Sequence, residues 1–248
     1  MTELRLVAAQ RPAALRLLDR VLDLAFPPRC VSCVRFGPFI CDGCLATVAR
    51  AGPARCSICW MPIREPTREP PTGGACARCR AVRPSFTAVR SAFVYEGAAR
   101  DAVHALKFRG LSAIAPPMAV LMAEQLVDWS PPVDSIVPVP LAGSRRRQRG
   151  YNQSELLAKE LSRLTAIPLE RRALMRPLSA SPQYRLSDRD ERRRNVSAAF
   201  LPGKSVPQGS ILLVDDVITT GATLDACSRV LIGAGVAWVF ALTFARED

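Results

Sequence analysis

ILLVDDVITTGATL, residues 211–224, is the stretch on which the fold turns. Ile211 to Val214 are apolar without a break, the pattern of a strand buried on both faces of a parallel sheet. Two adjacent carboxylates, Asp215 and Asp216, close the run. Thr219, Thr220, Gly221, Ala222 and Thr223 then lead into a helix. In open α/β sheets ligands bind beyond the carboxyl ends of the strands, so Asp215 and Asp216 are placed to meet one. Free N–H groups, threonine hydroxyls and the dipole of the following helix suit a phosphate dianion, and Gly221 lets the backbone come close to it. Carboxylates beside a phosphate make sense for a sugar phosphate, whose neighbouring hydroxyls donate to the acids. A magnesium ion bound with such a ligand would moderate the charge further.

Working outward, strands and helices alternate from about residue 90. Residues 89–95, 133–141, 168–176, 210–216 and 236–246 read as strands, the second of them stopped by Pro138 and Pro140. Residues 97–110 read as a helix halted by Gly110. A further helix begins near Pro116 and Pro117, and 152–164 and 221–235 are amphipathic. This alternation implies an α/β domain with a mostly parallel open sheet covered on both faces, over residues 86–248.

Ahead of it, eight cysteines fall into four Cys-x2-Cys pairs: Cys30 and Cys33, Cys41 and Cys44, Cys56 and Cys59, Cys76 and Cys79. Four thiolates at about 2.3 Å complete a closed zinc site, and the turn within each pair lets two sulfurs converge on one metal. Keeping each site local gives Cys30, Cys33, Cys41 and Cys44 to one ion and Cys56, Cys59, Cys76 and Cys79 to another. Spacing alone leaves an interleaved arrangement, or a single metal, open. With no open coordination position, the zinc is structural, standing in for a core that residues 30–85 are too short to build. Redox chemistry is disfavoured, because four copies in a Pro- and Arg-rich stretch lack the surrounding βαβ pattern. Cys227 stands apart and reads as an ordinary buried thiol.

The chain has 248 residues and is 49% apolar, with 34 Lys and Arg against 22 Asp and Glu, a net charge of +12. This length supports one large domain and a small one, and the charge suits anionic partners. Its cations are almost all arginines, the lysines being Lys107, Lys159 and Lys204. Residues 1–29 are broken by charges too often for a signal peptide, while Leu15, Leu18, Leu22 and Phe26 recur at helical spacing, so an amphipathic helix is expected there. No apolar stretch is long enough to span a bilayer. A cytoplasmic protein is expected, not integral to the membrane, with room for a peripheral position at its inner face. His104, the only histidine, lies within a helix and reads as a surface or packed residue. Lys107 is the better site candidate.

ILLVDDVITTGAT resembles the signature of type I phosphoribosyltransferases, which bind phosphoribosyl pyrophosphate (PRPP). With the cysteine pairs, LKFRG (106–110), VPVPL (137–141), RGYNQSELLA (149–158) and a basic arm, the chain from residue 20 onward resembles the ComF family of competence proteins. The resemblance implies a type I phosphoribosyltransferase fold behind a double zinc ribbon. It implies that Asp215 and Asp216 hold the ribose hydroxyls and serve as the catalytic acids, and that Thr219, Thr220, Gly221, Ala222 and Thr223 hold the 5-phosphate. Val139, Pro140 and Leu141 would form the pyrophosphate loop, and Arg145, Arg146, Arg147 and Arg149 follow it. Arginine's planar fork suits bridging phosphate oxygens. Residues 181–200 occupy the place of a mobile arm that closes over PRPP, with Gln183, Leu186, Arg192 and Asn195 in the family's pattern. Tyr151, Asn152 and Gln153 belong near the site, in a role the motif leaves unstated.

Two functions follow from this resemblance. One is a competence protein that uses a PRPP-binding fold and basic surfaces in taking up transforming single-stranded DNA, alongside other competence-machinery proteins. The other is an active phosphoribosyltransferase of nucleotide or nucleobase metabolism. In that case magnesium and arginines stabilise the departing pyrophosphate, which is mainly electrostatic catalysis. No acceptor-recognition motif is legible. Only 6% of residues are aromatic, few for a binder that stacks on single-stranded bases.

Overall fold

The computed structural model describes residues 27–50, 54–63, 74–177 and 199–248. The amphipathic helix expected ahead of Pro27 and the arm residues Gln183, Leu186, Arg192 and Asn195 lie outside them. The strands are β1 (Ala88–Val94), β2 (Ser135–Pro138), β3 (Leu174–Met175), β4 (Leu201–Pro202), β5 (Ser210–Ile218) and β6 (Trp238–Arg246). The helices are α1 (Asp42–Leu45), α2 (Ala77–Ala81), α3 (Gly97–Phe108), α4 (Ala115–Trp129), α5 (Gly143–Arg149), α6 (Gln153–Thr165) and α7 (Ala222–Gly233).

Ile211 to Val214 are fully buried and form the heart of β5, which lies inside a parallel sheet of order β1-β6-β5-β2. Side chains alternate along the strand. Leu212 and Val214 pack with Leu242 and Phe244 against Leu106, Met118, Met122, Leu126, Leu157 and Leu161, from α3, α4 and α6. Ile211 and Leu213 face the opposite way, against Leu224, Cys227 and Leu231 of α7. Cys227 is therefore an ordinary core thiol, with no exposed surface. The mixed α/β architecture with a parallel sheet is the one expected from the sequence.

Helix boundaries follow local chemistry. α3 ends at Phe108, and Gly110 beyond it takes φ +67°. α4 carries its prolines in the first turn, where the missing N–H has no intrahelical partner to lose. Asn152 caps α6, accepting from Ser154 N–H at 3.2 Å.

The cysteine segment lies against both cores. Ile40 and Val48 join the face that carries α3 and α4, while Cys56, Ile58 and Cys79 join the α7 face. It also covers the outer edge of β1. Val89 N–H donates to the Ile58 carbonyl at 2.8 Å, and Arg50 forms an antiparallel bridge with Phe93.

Three elements depart from the sequence reading. Residues 168–176 do not make one strand. Ile136 N–H donates to Pro168 O and Glu170 N–H to Ile136 O, each at 2.8 Å, so 168–170 extend the sheet beside β2. The chain then turns at Arg171 and Arg172 and only Leu174–Met175 continues, paired antiparallel with β4. The charged Glu170-Arg171-Arg172 run breaks the period-2 pattern that one strand needs. β5 continues past its acids to Ile218, because Val217 and Ile218 still pair with β6. The arginine run after VPVPL forms α5, which buries none of its residues and so carries no apolar periodicity. Among the described residues no helix is long and apolar enough to cross a membrane.

Candidate functional site

β2 stops at Pro138, opposite Val214, whereas β6 stays paired with β5 to its end. Asp215 therefore lies just past its neighbour on the β2 side, and the N-terminus of α6 reaches over that gap. Ser154 Oγ donates to Asp215 Oδ1 at 2.7 Å, and Asp216 N–H donates to the same oxygen at 2.9 Å. Burial, and then the neighbouring charge of Asp216, push the Asp215 carboxyl up to about 7. Asp216 is 5% exposed and meets Lys107 of α3, whose Nζ lies 2.8 Å from its Oδ1. Lys107 thus stands at the acids. His104, one turn back, is exposed and rests on Phe108 with ring centroids 4.7 Å apart.

The residues of RGYNQ brace this corner. Tyr151 Oη donates to Leu106 O at 2.7 Å, tying α6 to the end of α3. Asn152 Nδ2 donates to Val139 O at 2.9 Å and so ties the 139–141 loop to the helix it caps. Gln153 is buried, and its side-chain Nε2 has no hydrogen-bond partner.

Beyond β5 the loop turns through Gly221, at φ +79°, into α7. A Cβ on Gly221 would meet only ordinary contacts, the nearest 3.5 Å away on Ile218, so the backbone angle and not space calls for glycine. Thr219 and Thr220 are exposed, while Gly221, Ala222 and Thr223 are half-buried. Thr220 Oγ1 accepts from Ala222 N–H at 3.3 Å. A cavity of about 150 Å³ borders this turn, lined by Thr220, Gly221 and Ala222 on one side and by Arg78, Arg83 and Cys79 on the other.

A larger cavity of about 580 Å³ opens between the 139–141 loop and β3. Pro140 and Leu141 line it, with Arg146, Arg171, Arg172, Arg176 and Lys204 set against a single acid, Glu155. Glu155 is engaged by Arg171 at 3.7 Å. This cationic excess suits a polyanion. Arg176 lies over the Phe200 ring at 5.1 Å, and burial, then the charge of Arg145, lowers its guanidinium from the ordinary value. Of the α5 arginines, Arg146 lines this cavity. Arg149 lines a separate pocket with Lys107, Phe108 and Tyr151. Arg145, Arg146 and Arg147 are exposed. Sequence reasoning missed Ser154, Arg171, Arg172, Arg176 and Lys204. Of these, only Ser154 lay within a motif already singled out.

The eight paired cysteines form two clusters, one of Cys30, Cys33, Cys41 and Cys44 and one of Cys56, Cys59, Cys76 and Cys79. Within each, all four sulfurs lie within 4.8 Å of one another. Cys33 to Cys41 and Cys59 to Cys76 are each 3.7 Å between sulfurs. A tetrahedron with Zn–S bonds of about 2.3 Å has edges of about 3.8 Å, and a disulfide is far shorter, so both clusters fit a structural zinc ion. The two local sites are the observed arrangement, not an interleaved one. Cys56 Sγ accepts from the N–H groups of Cys59 at 3.4 Å and Cys76 at 3.3 Å. Burial opposes ionisation there, but these donors and that of Ile58 outweigh it and bring Cys56 down to about 7. In the first cluster the N–H groups of Cys33, Cys41 and Ser32 likewise overcome burial and bring Cys30 down to about 6. Each cluster thus prepares a thiolate for a cation.

Comparison with known proteins finds no matching family model. Among individual proteins, the chain is similar to the DNA utilization protein YhgH of Escherichia coli (strain K12). The two are 31% identical over 216 residues, covering 82% of this chain and 94% of that protein. It is 42% identical over 106 residues to competence protein F of Haemophilus influenzae, covering 42% of this chain and 46% of that one. With competence protein ComFC of Bacillus subtilis it shares 31% identity over 151 residues, 60% of this chain and 59% of the other.

Proposed function

Because this chain belongs to the ComF family, with the DNA utilization protein YhgH and the competence proteins F and ComFC, we propose that it binds PRPP with magnesium and acts in handling incoming single-stranded DNA. The observation that carries the ligand reading is the corner where β5 runs on past the end of β2. Asp215 and Asp216 stand there between Ser154 and Lys107, ahead of the left-handed Gly221 that opens α7. In this reading Asp215 and Asp216 take the ribose hydroxyls and residues 219–223 take the 5-phosphate. The cationic cavity beside Val139, Pro140 and Leu141 takes the pyrophosphate with its magnesium, through Arg146 and Arg176, with Arg145 and Arg149 of α5 adding to the positive charge. Gln183, Arg192 and Asn195 would close over the ligand. Residues 86–248 form the ligand domain, and residues 30–85 the zinc-ribbon unit. The setting is the cytoplasm, with competence-machinery proteins as partners.

The test is calorimetric titration with PRPP and magnesium, together with thermal unfolding. The wild type gains melting temperature with PRPP, and Asp215→Ala combined with Asp216→Ala abolishes the gain. A wild type that shows neither heat nor shift rejects the reading. Pyrophosphate release from PRPP in the presence of candidate nitrogen nucleophiles reports whether the bound ligand is consumed.

The exposed arginines of α5 support the DNA half of the proposal. Affinity for a single-stranded oligonucleotide is expected to fall with added salt, and to lose part of that salt dependence when Arg145, Arg146 and Arg147 become alanine. Binding indifferent to both salt and substitution would overturn it.

A further inference from the structure

We propose that the second cysteine cluster is a working part of the phosphate loop, with Arg78 and Arg246 as the positioning residues that join them. The inference rests on the reading of residues 219–223 as the phosphate loop, and it makes the two metal sites unequal in function.

Two consecutive carbonyls of the loop are held from the side of this cluster. Arg246, at the end of β6, is only 1% exposed. It donates from Nη1 to the carbonyl of Cys59 at 2.6 Å and from Nη2 to the carbonyl of Thr219 at 3.4 Å. Arg78, on α2 between Cys76 and Cys79, donates from Nη2 to the carbonyl of Thr220 at 2.7 Å. In the first turn of α7, the cluster side makes a third link, from Ser85 N–H to Asp225 Oδ1 at 2.7 Å.

In a trans peptide the carbonyl and the N–H of the next residue point in opposite directions. Holding the Thr219 carbonyl therefore sets the N–H of Thr220, and holding the Thr220 carbonyl sets the N–H of Gly221. Both N–H groups are aimed away from the cysteine cluster, where a bound phosphate can meet them. A turn through a left-handed glycine has several accessible peptide orientations, and two cationic donors reduce them to one before any ligand arrives. Donors oriented in advance bind more tightly than donors ordered on binding.

The first cluster has no such link. Ile40 and Val48, beside it, pack on the α3 and α4 face. Among the described residues no hydrogen bond joins the segment 27–50 to 219–225. Arg78 is exposed, so its loss removes little from the core and its effect should be felt in the loop.

The test compares the full-length wild type with Arg78→Ala, Arg78→Lys, Cys76→Ser and Cys41→Ser, the zinc content of each being measured. Two readouts are taken: titration with PRPP and magnesium, and amide hydrogen exchange of residues 219–223 without ligand. Arg78→Ala is expected to weaken PRPP by about tenfold, the scale of one charge-assisted hydrogen bond, and to speed exchange in the loop. Arg78→Lys restores part of both. Cys76→Ser loses one zinc and behaves like Arg78→Ala or worse. Cys41→Ser also loses one zinc, yet keeps loop protection and affinity within about twofold. Wild-type affinity and unchanged exchange in Arg78→Ala would overturn the proposal, as would equal effects of Cys41→Ser and Cys76→Ser on the loop. If the wild type binds no PRPP, the ligand reading fails, and loop exchange alone decides the tether. If Cys76→Ser does not fold, Arg78→Ala and Arg78→Lys decide it.

Discussion

Asp215 shows how the charge of a single buried side chain can cost the fold. Its carboxyl is raised to about 7 by burial and by Asp216, against about 4 in an unfolded chain. Between those values the native protein binds more protons than the unfolded one, so stability falls as pH rises from about 4 to about 7. Asp215→Asn keeps an acceptor for Ser154 and for the Asp216 N–H but cannot ionise. Its melting temperature is therefore expected to be nearly flat over that range, and to exceed that of the wild type at pH 8. A wild type whose melting temperature does not fall relative to Asp215→Asn between pH 5 and pH 7.5 would contradict the assignment. The same variant should bind PRPP more weakly. The acids themselves stood out in the sequence, as two carboxylates closing an apolar run ahead of a Thr-Thr-Gly turn. Ser154 and Lys107 were not legible as their partners, because 61 and 109 residues separate them from the acids they meet.

Elements form where local chemistry and packing agree, and short special turns carry the strain. In each cysteine cluster the residue after the second Cys of the first pair is left-handed, Val34 at φ +63° and Trp60 at φ +62°. Their N–H groups donate back to the carbonyls of Cys30 and Cys56, each at 3.0 Å. A β-branched residue is strained there, and Val34 is 59% exposed, so it gains little burial in exchange. Val34→Gly is expected to raise stability by about 0.5 kcal/mol, the relief of strain exceeding the added unfolded-state entropy. Gly221 is the opposite case. Gly221→Ala should cost about 1 kcal/mol through its backbone angle and slacken the turn into α7. Denaturant midpoints measure both. Asn152→Ala loses the cap of α6 and the tie to Val139 together, with an expected cost of about 2 kcal/mol. The cap is local to the first turn of α6, whereas the tie depends on where α6 docks. Residues 168–176 were read as one strand and α5 was not read at all for a related reason, which is that their charges face solvent or a cavity and interrupt any apolar period.

At the scale of the molecule, the cysteine segment and the sheet share their cores. Metal loss should therefore be felt well beyond the ligands. Prolonged chelation under mildly denaturing conditions is expected to release about two zinc ions per chain and to destabilise the protein by several kcal/mol. Amide exchange should then rise at β1, whose outer edge Ile58 and Arg50 cover. A melting temperature unchanged after verified metal loss would show that the clusters are not structural.

The sequence by itself determined the parallel sheet, the two acids and the glycine turn that follow its central apolar run, and the four Cys-x2-Cys pairs. Each depends on residues close together in the chain, where apolar period, turn chemistry and ligand spacing act directly. Only the tertiary structure decided which cations gather beside the 139–141 loop, which groups hold Asp215 and Asp216, how the cysteine pairs group, and which cysteine cluster stands behind residues 219–223. Those are contacts between distant segments. They are set by where the β2 strand stops and by which face of the sheet each segment packs upon, and neither leaves a periodic mark on the sequence.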